Sequence, residues 1–209
     1  MIKSIQTFVL LLLCFGASAQ KIFSEGVIKY NVYINGEKKP SGVYIIWVKN
    51  GNLRRELSMQ NGYSNVTLYN HKDAKTYSLN IHAENKYVLA LTKEEIEESN
   101  KQFENAQYIL MDKKLKIASY SCVGNQIVYQ NQDTIEVFYT DEMVLQYKNM
   151  NAMFPEINGL PLMYELKKNA TITMLFKADV IEEKPLEDLL FTVPSEYKIV
   201  SKKELNEIE

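Results

Sequence analysis

The stretch that decides the fold is Gly26-Val27-Ile28-Lys29-Tyr30-Asn31-Val32-Tyr33-Ile34-Asn35-Gly36. Ile28, Tyr30, Val32 and Ile34 share one side of an extended chain, with Lys29 and Asn31 on the other. That period of two belongs to a half-buried β-strand. Asn35-Gly36 closes it, because this dipeptide tolerates the positive φ of a tight turn. The same pattern repeats outward. Val43 to Val48 is a nearly continuous apolar strand ending at Asn50-Gly51; Leu53 to Met59 returns, and Asn61-Gly62 turns the chain again. Tyr63 to Asn70, Ala74 to His82 and Lys86 to Leu91 follow, with Tyr77, Leu79 and Ile81 facing one way. Short strands between closely spaced turns define an up-and-down antiparallel sheet, which curls because strands twist.

At Thr92 the period changes. Thr92 and Glu95 match a capping box, and Glu94, Glu95, Glu97 and Glu98 suit the positive end of a helix. Ile96 and Phe103 give it only a narrow apolar edge, so the helix is expected on the surface. Strands are expected again over Lys114 to Val123, Ile127 to Tyr129 and Thr134 to Tyr139. A less regular stretch from Asp141 to Asn158 carries Met143, Met150, Met153 and Phe154, and two strands follow at Leu160 to Leu166 and Ala170 to Ile181. The tail predicts a short helix at Pro185 to Leu190, with Pro in its first turn, and a last one behind the capping box Ser201/Glu204.

Composition narrows the function. The chain has 209 residues, 46% hydrophobic and 24% charged, with a formal charge of −2, which is the profile of a folded chain. Lys+Arg 24 against Asp+Glu 26 leaves no basic excess, so nucleic acid is not an expected partner. Fourteen Tyr stand against one Trp, two Cys and two His. Strand formers are abundant and the usual catalytic and metal-binding residues are scarce.

The first residues read as a secretory signal peptide. Lys3 supplies the positive start, Phe8 to Phe15 is an unbroken apolar run, and Ala17-Ser18-Ala19 has the small-residue form of a cleavage site. The run is far short of the ~20 residues a membrane-spanning helix needs. Cleavage after Ala19 would leave one domain over 20–209 in the periplasm or outside the cell. Leu13 before Cys14 fits poorly with a lipoprotein signal, which needs a small residue there. Cys122 then stands alone, so no disulfide within the chain is expected.

Lys116-Ile117-Ala118-Ser119-Tyr120-Ser121-Cys122 is similar to the K-I-x-G-Y-x-C strand of secreted proteins of the Bacteroidetes, the DUF4412 and GLPGLI families, and the resemblance runs on through the C-terminal half. Ile135 to Thr140 is similar to I-x-V-W-Y-T, Gly159-Leu160-Pro161-Leu162 to G-L-P-[LG], and Phe191 to Tyr197 to F-x-[IV]-P-x-x-Y. Ser119 replaces the usual Gly and Phe138 the usual Trp. These families in turn resemble the outer-membrane lipoprotein carriers LolA and LolB. The resemblance implies a mainly β fold with a few helices: a curved antiparallel sheet, or incomplete β-barrel, with helices and loops as a lid over an apolar cavity.

An acyl chain is an apolar ligand that needs no catalytic group, only an apolar lining with a polar mouth. Tyr30, Tyr44, Trp47, Tyr77, Leu79, Tyr120 and Phe138 are the candidate lining, with Met143, Met150, Met153 and Phe154 as the candidate lid. No metal or other cofactor is expected. His71 lies by a turn and His82 at a strand end, and neither stands in a ligand spacing. No G-x-S-x-G or phosphate loop is present, and Cys122 is the one thiol a hydrolase could use. The expectation is an exported, non-enzymatic protein holding a lipid or lipoprotein acyl chain in a half-barrel. The alternative is an envelope module that docks a partner protein and takes no small ligand.

Overall fold

The computed structural model describes residues 20–82, 85–131, 133–147, 152–168 and 171–208. The expected leader over residues 1–19 and the expected lid residue Met150 lie outside the described residues. The strands are β1 (Lys21–Phe23), β2 (Glu25–Ile34), β3 (Gly42–Lys49), β4 (Asn52–Met59), β5 (Ser64–Asn70), β6 (Lys75–His82) and β7 (Asn85–Leu91). After helix α1 (Lys93–Asn100) and a 3-10 turn (Lys101–Phe103) come β8 (Gln107–Ile117), β9 (Tyr120–Val128), β10 (Thr134–Thr140), β11 (Met143–Leu145), β12 (Leu160–Lys167) and β13 (Thr173–Glu182). A 3-10 turn (Asp188–Phe191), β14 (Lys198–Val200) and helix α2 (Lys202–Ile208) complete the described chain.

Two meanders make one twelve-stranded sheet of order β14-β7-β6-β5-β4-β3-β2-β13-β12-β10-β9-β8. β2 to β7 pair in succession, α1 carries the chain to the far edge, and β8, β9, β10, β12 and β13 run back until β13 pairs antiparallel with β2. β14 ends the other edge, parallel to β7. The sheet is curved and does not close. This is the incomplete barrel that the LolA/LolB resemblance implied. Both capping boxes form: Thr92 Oγ1 accepts from the Glu95 N–H while Glu95 accepts from the Thr92 N–H, and Ser201 and Glu204 do the same. The Ser201 N–H and hydroxyl hold the Glu204 carboxyl below its ordinary pKa.

Alternation in β2 comes out as read, with Ile28, Tyr30 and Val32 buried. Across the sheet, paired residues share a face. Tyr44, Leu57 and Asn65 form one row and Ile46, Arg55, Thr67 and Ser78 the next, both on the concave face of Tyr30. Trp47, Arg54, Leu68 and Tyr77 form a row on the opposite face.

Three expectations about elements are corrected. A single strand over Lys114 to Val123 does not form. β8 ends at Ile117 and β9 starts at Tyr120, with a two-residue reversal between them in which Ala118 has φ 47° and Ser119 φ 74°.

 Both central residues lie in the left-handed region of a primed hairpin turn, where Asn and Gly are favoured over Ala and Ser. Alternation hides such a turn, because Ile117 and Tyr120 pair across it as neighbours. Ser119→Gly is expected to raise stability by about 0.5–1 kcal/mol by removing left-handed strain, read as a higher urea midpoint with an unchanged slope.

The helix over Pro185 to Leu190 is also absent. The Leu186 N–H donates to Glu25 Oε1 (2.8 Å), and the Leu186 carbonyl accepts from Lys49 Nζ. These backbone groups are taken by the sheet, so only the 3-10 turn Asp188–Phe191 forms beyond them. Met143, expected in a loose lid, is instead 3% exposed in β11, which pairs in parallel with β1.

Candidate functional site

The concave face carries a cluster of rings. Tyr164 of β12 stacks on Phe176 of β13 with centroids 5.0 Å apart and meets Tyr30 edge-on at 5.9 Å. Tyr44 of β3 completes the set, 5.8 Å from Tyr30 and 5.3 Å from Phe176. β2 and β13 are the strands that join the two meanders, so this cluster marks the middle of the curved sheet. The Tyr30 hydroxyl donates to the Pro161 carbonyl at 2.8 Å, satisfying a buried phenol and tying β2 to β12.

A cover lies over these rings. Phe154, 1% exposed, leads it and meets Tyr164 edge-on at 5.1 Å. Between cover and sheet is a cavity of about 320 Å³, within the ~300–1,000 Å³ usual for ligand sites. Its sheet wall includes Tyr30, Tyr44, Leu57, Tyr164 and Phe176; its cover includes Met153 and Phe154. Asn100, the last residue of α1, reaches the same cavity, while Phe103 beyond it packs edge-on against Tyr129. The chain that links the two sheet edges therefore also helps to roof the concave face.

Of the nine residues the sequence singles out, the structure brings four together here: Tyr30, Tyr44, Met153 and Phe154. The other five are placed elsewhere. Trp47 is on the opposite face with the Arg54 guanidinium 5.6 Å from its ring centroid. Leu79 belongs to a separate cluster with Leu68 and Val88 on that face, and Tyr77 packs against it. Phe138 is fully buried over Gly124, with Lys113 Nζ 5.1 Å from its ring centroid. Tyr120 opens β9 and packs on the edge of the main core, outside the cavity wall.

The reason is the tail. From β13 it crosses the convex face of the first meander: Lys49 pairs with Asp188 at 2.7 Å, and Arg54 donates to the Leu190 carbonyl at 3.5 Å. Val193 and Tyr197 then pack on the Leu68 cluster before β14 joins β7. Both faces of this sheet thus need apolar residues, and alternation alone does not say which face holds the cavity. Residues missed by the sequence reading are Leu57, Tyr164 and Phe176. Their signal was available in the alternation of β4, β12 and β13.

Burial pushes up the phenols of Tyr30, Tyr44 and Tyr164, and the Arg55 charge pulls each of them partly back. Cys122 is 1% exposed, and burial pushes its thiol up to about 11. A neutral, buried thiol is a poor nucleophile. Iodoacetamide at pH 7.5 is expected to leave Cys122 unmodified in the folded protein and to label it fully in denaturant, read by mass spectrometry. His71 packs against Tyr147 with centroids 4.2 Å apart and the rings tilted by 34°. Among the described residues, no group of three or more His, Cys, Asp or Glu could hold a metal ion. No helix among them is long and apolar enough to cross a membrane.

No family model matches the chain, and no curated protein does. Solved structures similar to it include PNGF-II, at 14% identity and TM-score 0.47 over 87% of this chain and 32% of that one. The MucA/MucB complex of Pseudomonas aeruginosa is similar at 14% identity and TM-score 0.46, over 84% of this chain and 58% of that one. A further MucB structure is similar at 13% identity and TM-score 0.41, over 81% and 58%. The chain spans about a third of the PNGF-II chain and under two thirds of these others.

Proposed function

We propose that this chain is an exported, non-enzymatic binding protein that holds a lipid or acyl chain between its curved sheet and the cover above it. The observation that supports the reading is the cavity of about 320 Å³ walled by Tyr30, Tyr44, Leu57, Tyr164 and Phe176. Aromatic rings and aliphatic side chains give an apolar ligand area without hydrogen-bond demands. Asn65, Thr67 and Asn100 supply polar groups on the same wall. Met153 on the cover suits chains of irregular shape, since Met re-packs readily.

Export is part of the same proposal, and N-terminal sequencing of the secreted or periplasmic protein is expected to begin at Gln20. Protein purified from its own compartment is expected to carry lipid, detected by native mass spectrometry and by extraction. Leu57→Glu places a carboxylate on the cavity wall and is expected to lose that lipid; Trp47→Phe, on the convex face, is expected to keep it. A clean, empty protein that gains no melting temperature with any added lipid would overturn the reading.

One observation favours the second reading, an envelope module that docks a partner protein. β8 is an edge strand, and it leaves Ile109 41% and Leu110 71% exposed. Edge strands with exposed apolar side chains are templates for an added strand. Under that reading Leu110→Lys abolishes capture of a partner after crosslinking and leaves lipid content unchanged.

A further inference from the structure

Arg55 is the one charged side chain on the cavity wall among the described residues. It projects from β4 on the concave face, beside Leu57 in its own strand and in one cross-strand row with Ile46 and Thr67. It lines the same cavity as the rings of Tyr30, Tyr44, Tyr164 and Phe176, and its charge opposes the rise that burial gives the three phenols. The neighbouring carboxylate in sequence, Glu56, points to the other face, where it pairs with Arg54 at 3.0 Å. No Asp or Glu is among the described residues that line this cavity.

We infer that the cavity takes a single-chain amphiphile with one carboxylate head, a fatty acid, with the chain against the rings and the carboxylate on Arg55. This rests on the apolar-ligand reading above and names the ligand class for it. The size supports one chain, because 320 Å³ lies at the small end of ligand cavities. The charge supports a monoanion, because one guanidinium matches one carboxylate in a bidentate fork. Arg55 already has a contact within the protein. A guanidinium has five N–H donors, so it can keep that contact and still receive a carboxylate. A charge-assisted bond in a cavity walled by rings is stronger than one in open water.

The test is calorimetric titration of the full secreted chain at pH 8 with dodecanoate and with dodecanol, below their aggregation thresholds. Wild-type protein is expected to bind dodecanoate at least ~10-fold more tightly than dodecanol, the size of effect that a charged hydrogen bond supplies. Arg55→Gln is expected to erase that preference while dodecanol binds as before, which also reports that the cavity is intact. Arg55→Lys, which keeps the charge and loses the fork, is expected to retain part of the preference, and serves if Arg55→Gln does not fold. Equal binding of the two probes by wild type would overturn the carboxylate assignment and leave the apolar-ligand reading standing. A preference that survives in Arg55→Gln would overturn the role of Arg55. Binding of neither probe would overturn both readings.

Discussion

Tyr164→Ala is expected to destabilise the protein by about 3–5 kcal/mol, the range for truncating a buried large aromatic. Tyr164 is 3% exposed and touches three other rings: Phe176 stacked at 5.0 Å, Phe154 edge-on at 5.1 Å and Tyr30 edge-on at 5.9 Å. Each such pair adds about 0.5–1.5 kcal/mol beyond the area it buries. Removing the ring also undercuts the cover, because Phe154 loses its main aromatic support. Tyr164→Phe keeps the rings in contact and is expected to retain most of the stability. Urea unfolding of both variants checks this, and a Tyr164→Ala midpoint equal to that of Tyr164→Phe would show that the cluster carries little of the fold.

The second large effect is expected at Gly26. Its φ of +151° is one that L side chains rarely adopt, and a Cβ there would lie 2.3 Å from the Glu182 carbonyl oxygen and 2.7 Å from Phe23 Cζ. Phe23 is fully buried, and Glu182 ends β13 next to β2, so neither neighbour can move away freely. Backbone strain and overpacking together are expected to cost Gly26→Ala about 2–5 kcal/mol. Gly36→Ala is the control. Gly36 has φ +74° with nothing within 4 Å of an added Cβ, so only backbone strain applies, about 1–2 kcal/mol. Thermal or urea unfolding of the pair separates the two causes, and equal losses would remove the packing argument at Gly26.

Gly26 lies where the two meanders meet. β13 closes against β2 there, and the same pair of strands carries Tyr30 and Phe176 to the centre of the concave face. Lys49 holds the tail nearby through Asp188 and Glu25, and its ammonium is held above its ordinary pKa chiefly by Asp188. The tail is thus anchored on the convex side by charge, while the cover on the concave side is anchored by rings.

Much of the first meander was legible in the chain. Its hairpins follow from Asn35-Gly36 and Asn50-Gly51, whose residues take positive φ as expected, and from the alternation of Ile28, Tyr30 and Val32. Thr92 and Glu95 announced α1 for an equally local reason, since a capping box is complete within four residues. The turn at Ala118-Ser119 was not legible, because neither residue type signals positive φ. Nor were the short parallel pairings of β1 with β11 and β14 with β7, which join segments far apart in the chain.

For the site, the sequence by itself determined that aromatic residues would alternate along strands of a curved sheet, because a period of two is written residue by residue. It did not determine which face would be concave. Tyr30 and Tyr44 came to the cavity, whereas Trp47, Tyr77 and Leu79 went to the face crossed by the tail. Only the tertiary structure decided this. The sign of the sheet's curvature and the path of residues 183–200 depend on packing between segments remote in sequence, and both faces of the first meander had to be apolar to receive them. Arg55 shows the same division: its place in β4 is local, but its position as the cation of an aromatic cavity exists only once strands of both meanders and the cover have come together.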